Sequence, residues 1–121
     1  MKILLLIGTG SFIGGVSRYL LSLLIQTKTT SQFPLPTLIV NIIGCFLIGI
    51  VFVGFDKWQL SNEWKLFFAT GLLGGFTTFS AFSIETFNLF RSGYTGYALL
   101  YIFSSLLLGL LATYIAYLLV K

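Results

Sequence analysis

The sequence contains no histidine, a single cysteine (Cys45) and few charged residues. Without histidine the chain cannot build a catalytic triad that uses an imidazole base, and one cysteine excludes disulfide frameworks and cysteine-rich metal sites. Only 8% of the residues are charged, whereas soluble domains carry about 25%. The net charge of +4 comes from seven scattered basic residues, which is not the clustered basic patch of a nucleic-acid-binding protein. These deficits argue against an enzyme and against a nucleic-acid partner.

Apolar residues make up 57% of the chain, and the mean hydropathy is +1.01. A membrane span needs about 20 such residues, so 121 residues allow four helices with short loops. The sequence therefore predicts an all-α integral membrane protein, with one domain (1–121) and helices at about 3–25, 35–55, 65–91 and 94–120. The apolar start continues to about Ile25 without a small-residue cleavage site, which favours a first membrane helix over a signal peptide.

The third predicted helix is longer than one straight span requires, and its middle has an unusual composition. It reads Gly71-Leu-Leu-Gly-Gly-Phe-Thr-Thr-Phe-Ser-Ala-Phe-Ser83 and contains no proline. The glycines and hydroxyls predict a break near residues 74–78. Non-helical backbone at membrane depth needs partners from protein or water, and carbonyls near Gly74 and Thr77 could bind a hard cation. The same glycines could instead form a packing notch that holds no ion.

Several polar and aromatic residues in the predicted spans are candidates for an ion path. Phe79 and Phe82 share a helix face, and their positive ring edges could stabilise a small anion with help from the Ser80 hydroxyl; alternatively they are ordinary packing residues among 13 phenylalanines. Asn41, the one strongly polar side chain of helix 2, suits either an interhelical hydrogen bond or a pore lining. Tyr101 and Ser105 lie one turn apart on helix 4.

Apart from Lys65 and Arg91 at the ends of the third span, two charged residues lie inside the predicted spans. Arg18 in helix 1 must face protein, water or the interface, because a cation at mid-bilayer costs about 3 kcal/mol; it could also extend to the headgroups. Glu85 is the only acid deep in the spans. Its carboxyl could carry protons, pair with a cation such as Arg18, or lie near an interface.

The distribution of basic residues leaves the orientation in the membrane weakly specified. Four spans place both termini and the second loop on one side of the membrane. That side carries four lysines, and the other side carries two or three basic residues: Lys2, Lys57, Lys65 and Lys121 against Lys28, Arg91 and the nearby Arg18. Such a weak bias permits insertion in both orientations. A chain this small cannot enclose a path and also shield it from lipid, and an antiparallel dimer would satisfy both conditions.

Three motifs extend over helices 1 to 3. They are Gly14-Gly-Val-Ser-Arg18-Tyr, Asn41-Ile-Ile-Gly-Cys-Phe-Leu-Ile-Gly49 and the glycine–phenylalanine stretch continued as Ser83-Ile-Glu-Thr86. With these motifs the whole chain resembles the Fluc (CrcB-type) family of bacterial fluoride channels. The resemblance implies an antiparallel, dual-topology homodimer in the cytoplasmic (inner) membrane, with two pores that export fluoride passively.

The resemblance also implies roles for individual residues. Six positions match the family's anion pathway: Asn41, Phe79, Ser80, Phe82, Tyr101 and Ser105. The backbone carbonyls of Gly74 and Thr77 match the positions that hold a structural sodium ion at the dimer interface, and Arg18 and Glu85 are candidate supporting residues. Helices 2 to 4 contain no mid-membrane lysine or arginine, as expected where a fixed cation would bind the anion too tightly to release it.

Two other functions fit a small four-helix membrane protein. A small multidrug exporter is also an antiparallel dimer, but it needs a carboxylate in helix 1, where this chain has none; only Glu85 in the third segment could substitute. A structural membrane subunit without transport activity needs no such concentration of polar groups around a helix break. The residues alone therefore favour a small-ion channel or transporter, and the resemblance to the Fluc family is what implies a fluoride channel.

Overall fold

The computed structural model describes residues 1–28 and 31–121, and these are helical apart from short connections. In chain order the elements are α1 Lys2–Gln26, α2 Leu35–Lys57, α3 Asn62–Lys65, a π-helix over Leu66–Leu73, α4 Gly74–Phe76, α5 Phe79–Arg91 and α6 Thr95–Val120. Four stretches of the described chain are long and apolar enough to cross a membrane: Lys2–Gln26, Leu35–Lys57, Asn62–Arg91 and Thr95–Val120. The predicted all-α, four-span architecture is confirmed. We call Asn62–Arg91 the third membrane segment.

The third membrane segment has two helical halves, residues 62–76 and Phe79–Arg91. Between them the backbone of Thr77 (φ −89°, ψ 158°) and Thr78 (φ −151°, ψ 122°) is extended. The sequence pattern assigns the interruption partly to the glycines. In the structure these glycines lie in helical backbone, and Gly74 begins α4. The extended residues are therefore the two threonines that follow the glycine-rich stretch.

The glycines bring the first half of this segment into backbone contact with α1. A Cβ added at Gly14 would overlap the carbonyl oxygen of Leu72, and one added at Gly75 would lie 2.6 Å from the Ser11 carbonyl oxygen. Only residues without side chains permit such close approach of two helices. Helix α1 thus presents a glycine surface to the third membrane segment.

Helix α2 packs along α6 through a second surface of small residues. A Cβ added at Gly49 would lie 2.8 Å from the carbonyl oxygen of Thr113. The Thr113 hydroxyl donates a hydrogen bond of 2.8 Å to the Cys45 carbonyl, joining the two helices at mid-span. The cysteine is therefore part of a helix interface.

Two polar contacts show that both termini and the second loop lie at the same end of the bundle. Lys57 Nζ donates to the carbonyl oxygen of Val120 at 2.7 Å, and Lys2 Nζ pairs with Glu63 Oε2 at 3.2 Å. This arrangement matches the topology expected for four spans.

Candidate functional site

The junction between the two halves of the third membrane segment redirects two backbone donors. The Thr78 N–H, which a continuous helix would direct to the Gly74 carbonyl, donates instead to Asn41 Oδ1 at 3.0 Å. The Ala81 N–H donates to Thr78 Oγ1 at 3.2 Å, so the threonine caps α5. The carbonyls of Gly74 and Thr77 therefore lose the donors that helical geometry would give them.

Asn41 holds this junction with a reciprocal pair of hydrogen bonds. Its Nδ2 donates to the Thr78 carbonyl at 3.0 Å, while its Oδ1 accepts from the Thr78 N–H at the same distance. This pairing fixes which end of the amide is nitrogen and which is oxygen. One of the two amide hydrogens is engaged in the bond to Thr78, and the other can donate to a further acceptor. Asn41 thus makes an interhelical hydrogen bond and also faces a cavity.

That cavity has a volume of about 390 Å³ and is bounded by α2, the third membrane segment and α6. None of its lining residues is charged: Asn41, Gly44, Cys45, Ile48, Ala69, Leu73, Gly74, Thr77, Thr78, Phe79, Phe82, Ser105 and Leu106. We call it the junction cavity. The rings of Phe79 and Phe82 are 5.6 Å apart, centroid to centroid, and inclined at 47°. The structure therefore brings together most of the residues that the sequence singled out.

Two of the predicted pathway residues do not line the junction cavity. Ser80 is exposed, and its Oγ lies 3.2 Å from Thr78 Oγ1. Tyr101 is fully buried behind Phe82, with their ring centroids 5.0 Å apart. The ring of Phe33 covers another side of Tyr101 at 5.7 Å.

A second cavity, of about 570 Å³, lies on the side of the described bundle where α1 ends and α2 begins. Its lining is largely polar: Ser22, Gln26, Ser31, Gln32, Phe33, Pro34, Pro36, Thr37, Glu85, Asn88, Leu89, Ser92 and Tyr94. We call it the polar cavity. Glu85 accepts a hydrogen bond from the Thr37 hydroxyl, with 2.6 Å to Oε1 and 3.1 Å to Oε2. The intramembrane acid is therefore bonded to a neutral hydroxyl.

Arg18 does not pair with Glu85, an alternative that the sequence leaves open. Its Nε donates to the Gly75 carbonyl at 3.2 Å, near the C-terminal end of the first half of the third membrane segment. A cation is favourable at that end of a helix, where carbonyl dipoles concentrate negative charge. Arg18 therefore faces protein and supports the backbone beside the junction.

Sequence reasoning did not single out Thr37 or Ser11 for a role at the site. The Ser11 hydroxyl donates to the Gly71 carbonyl at 3.3 Å, and Thr37 binds Glu85 across 48 positions of sequence. A hydroxyl in an apolar run carries no signal of such distant partners. Thr78 could have been found as a helix cap, since threonine directly before a helical run is a typical start signal.

Known families and proteins match this chain along nearly its whole length. The family described as "CrcB-like protein, Camphor Resistance (CrcB)" matches residues 5–117. A protein of Azobacteroides pseudotrichonymphae is 43% identical over 126 aligned residues, covering 100% of this chain and 98% of the relative. A protein of Thermus thermophilus is 45% identical over 117 residues, covering 97% of this chain and 94% of the relative.

A third relative, from Ruminiclostridium cellulolyticum, is 51% identical over 88 residues, covering 72% of this chain and 68% of its own. All three relatives carry the name "Fluoride-specific ion channel FluC". Together with the four apolar helices of the described chain, these matches identify the chain as a multi-pass protein of the bacterial inner membrane. It belongs to the CrcB family, a family of ion channels and not of enzymes.

Proposed function

We propose that this chain forms a channel that conducts fluoride passively across the membrane. The observation that supports the proposal is the junction cavity, which combines the Asn41 amide, two phenylalanine rings and the Ser105 hydroxyl without a charged lining residue. An anion that leaves water needs donors in place of its hydration shell, while a fixed cation in the narrow part would retain it. The three relatives named as fluoride-specific channels agree with this chemistry.

Each polar group of the cavity has a defined part in this proposal. Asn41 is held by Thr78, so its remaining N–H can meet an anion without reorganising. The ring edges of Phe79 and Phe82 carry partial positive charge, which stabilises an anion weakly enough for it to move on. Ser105 adds a hydroxyl donor on the α6 side of the cavity.

The working unit in this proposal is an antiparallel homodimer with two pores and dual topology. Phe79 is 78% exposed in the single chain, although its ring lines the junction cavity. A second copy would cover that ring and close the cavity, as a narrow path requires. The weak asymmetry of the basic residues is compatible with insertion in both orientations.

A structural sodium ion at the dimer interface is part of the same proposal. Within the described chain, no group of three or more His, Cys, Asp or Glu side chains could hold a metal ion, so the ligands would be backbone oxygens. The carbonyls of Gly74 and Thr77 fit, because their helical donors are redirected to Asn41 and Thr78. Two copies would supply four oxygens, the ligand type that a hard cation prefers. Sodium would there neutralise the partial negative charge of the carbonyls.

A flux measurement tests the proposal. Purified protein in liposomes loaded with potassium fluoride or potassium chloride, with a potassium ionophore present to carry the compensating K⁺, is expected to release fluoride and to retain chloride, as followed with ion-selective electrodes. Phe79→Ile and Phe82→Ile each remove a ring edge, and each is expected to slow fluoride release about tenfold or more, equivalent to about 1.4 kcal/mol of lost anion stabilisation.

The matched control is Phe12→Ile, which changes a 72% exposed ring on α1 and is expected to keep the wild-type rate. Liposomes that retain fluoride with the wild-type protein would refute the fluoride channel. Normal release by both Phe79→Ile and Phe82→Ile would refute the assignment of the junction cavity as the path.

A further inference from the structure

We propose that Arg91 is an entry residue for the anion. Its guanidinium, held at the rim of the polar cavity, raises the local concentration of fluoride and offsets the negative charge of Glu85. This inference rests on the proposed fluoride conduction. It makes the polar cavity an aqueous mouth of the ion path, and it gives a function to an exposed residue outside the lining of either cavity.

The first observation is where the guanidinium of Arg91 is held. Its Nη2 donates a hydrogen bond of 3.0 Å to Asn88 Oδ1, and Asn88 lines the polar cavity. The guanidinium carbon also lies 5.6 Å from the centroid of the Phe87 ring, within the range of a cation–π contact. These two contacts keep the positive charge beside the cavity while the side chain remains exposed.

The backbone that carries this side chain belongs to the rim of the polar cavity. Arg91 is the last residue of α5, and Gly93 (φ +86°) has the left-handed conformation that commonly ends a helix. The Tyr94 N–H then donates to the Leu89 carbonyl at 2.8 Å. Both Leu89 and Tyr94 line the polar cavity, so the turn that contains Arg91 is fixed at its edge.

The second observation is the charge that an anion meets in the polar cavity. Among the described lining residues only Glu85 is charged, and its carboxylate accepts from the uncharged hydroxyl of Thr37. Glu85, Asn88 and Arg91 follow one another at intervals of three, so each neighbouring pair lies on the same side of α5. A cation at the end of this series attracts an anion that the carboxylate would otherwise repel.

The distances determine how far this attraction reaches. The Debye length is about 10 Å in 0.1 M salt and about 3 Å in 1 M salt. Because the guanidinium is bonded to Asn88 at 3.0 Å, an anion that contacts Asn88 lies within the longer of these lengths. An exposed charge of this kind raises the rate of entry and loses its effect as ionic strength rises.

Two other roles for Arg91 predict different behaviour. An arginine that extends to the lipid headgroups has its charge paired with phosphate and attracts little fluoride. An arginine that only complements the dipole at the C-terminal end of α5 affects stability at every salt concentration. The bond to a cavity-lining amide favours the entry role, and the dependence of conduction on salt separates the three.

The test is the single-channel conductance in planar bilayers of neutral lipid. The bath contains about 0.1 M sodium fluoride, alone or with impermeant sodium isethionate added to about 1 M total salt. In the low-salt bath Arg91→Gln is expected to lower the conductance about two- to threefold, as the loss of one screened charge predicts. At high salt its conductance is expected to equal that of the wild type.

Variants of matched charge serve as controls. Arg91→Lys retains the charge and is expected to retain most of the conductance, whereas Arg91→Glu is expected to reduce it further than Arg91→Gln. Lys121→Gln removes an equal charge at the opposite end of the bundle, outside the lining of both cavities, and is expected to conduct like the wild type in both baths. An equal reduction in Lys121→Gln would contradict a local effect of Arg91.

The outcomes separate this inference from the proposed function. Wild-type conductance of Arg91→Gln at low salt would overturn the entry role, and so would a reduction of the same size in both baths. One measurement needs no variant: at fixed fluoride activity the wild-type conductance is expected to fall as isethionate is added, and a constant value would also contradict the role. Wild-type protein that passes no fluoride current would refute the proposed function itself.

Discussion

The two halves of the third membrane segment differ in what they present to the rest of the molecule. Residues 62–76 present backbone: Gly71 and Gly75 lie against α1, and their carbonyls accept from Ser11 and Arg18. The second half, Phe79–Arg91, presents side chains to both cavities. The first half is anchored to α1 through its backbone, and the second half supplies the two phenylalanine rings of the junction cavity and the carboxylate of the polar cavity. In a single uninterrupted helix, the residues that contact α1 and the residues that face the cavities would be related by one fixed helical rotation. The break allows the two halves to be oriented separately.

The strongest test of this contrast is a methyl group in the anchor. In Gly14→Ala the new Cβ would overlap the Leu72 carbonyl, a backbone atom that cannot rotate away, so we expect loss of folded protein. Gly8→Ala is the control: a Cβ there has no neighbour within 4 Å in the described chain, and alanine favours a helix over glycine by about 0.5–1 kcal/mol. Size-exclusion yield and thermal unfolding in detergent measure the difference. Equal behaviour of the two variants would contradict the anchoring role of the first half.

A smaller effect is expected at the junction itself. Asn41→Asp keeps the side-chain size but removes the N–H that donates to Thr78, and it adds a negative charge to the junction cavity. An unpaired buried acceptor costs about 1–3 kcal/mol, so we expect fluoride release to fall about tenfold to a hundredfold. Asn62→Asp, at the start of α3, is the control because a carboxylate is favourable at a helix N-terminus. If Asn41→Asp conducts at the rate of Asn62→Asp, the amide is not needed at the junction.

The smallest effect is expected where the second half begins. Thr78→Ala removes the side-chain cap that accepts from Ala81, which should destabilise α5 by about 0.5–2 kcal/mol. Thr78→Ser keeps the hydroxyl and is expected to melt close to the wild-type temperature. The midpoint of thermal unfolding in detergent compares the two. Coincident midpoints would show that the start of the second half depends on the bonds to Asn41 and not on its cap.

The element boundaries that the sequence predicts lie close to those of the structure. Helices expected at about 35–55 and 65–91 are found at Leu35–Lys57 and, for the third membrane segment, Asn62–Arg91. The differences fall at the ends, where apolar runs give way to polar residues such as Lys57 and Asn62. Hydropathy locates a span well but does not determine at which residue the helix ends, because the last turn depends on capping and interface contacts.

The candidate site was predictable in part. Asn41, Phe79, Phe82 and Ser105 were singled out from sequence, and all four line the junction cavity. Ser80 and Tyr101 were singled out with them, but the exposed serine and the buried tyrosine lie outside its lining. Helix periodicity gives the relative direction of residues on one helix, yet which of them reach a shared space depends on how neighbouring helices are rotated.

The sequence by itself determined the number of spans, the lack of residues for histidine- or cysteine-based chemistry, and the small-residue surfaces along which helices can meet. These properties follow from composition and from local periodicity. Only the tertiary structure decided that Thr37 bonds Glu85 and that Arg18 bonds the Gly75 carbonyl, contacts that join residues 48 and 57 positions apart. Such contacts depend on the depth and rotation of each helix, which are fixed when glycine surfaces from distant parts of the chain pack together.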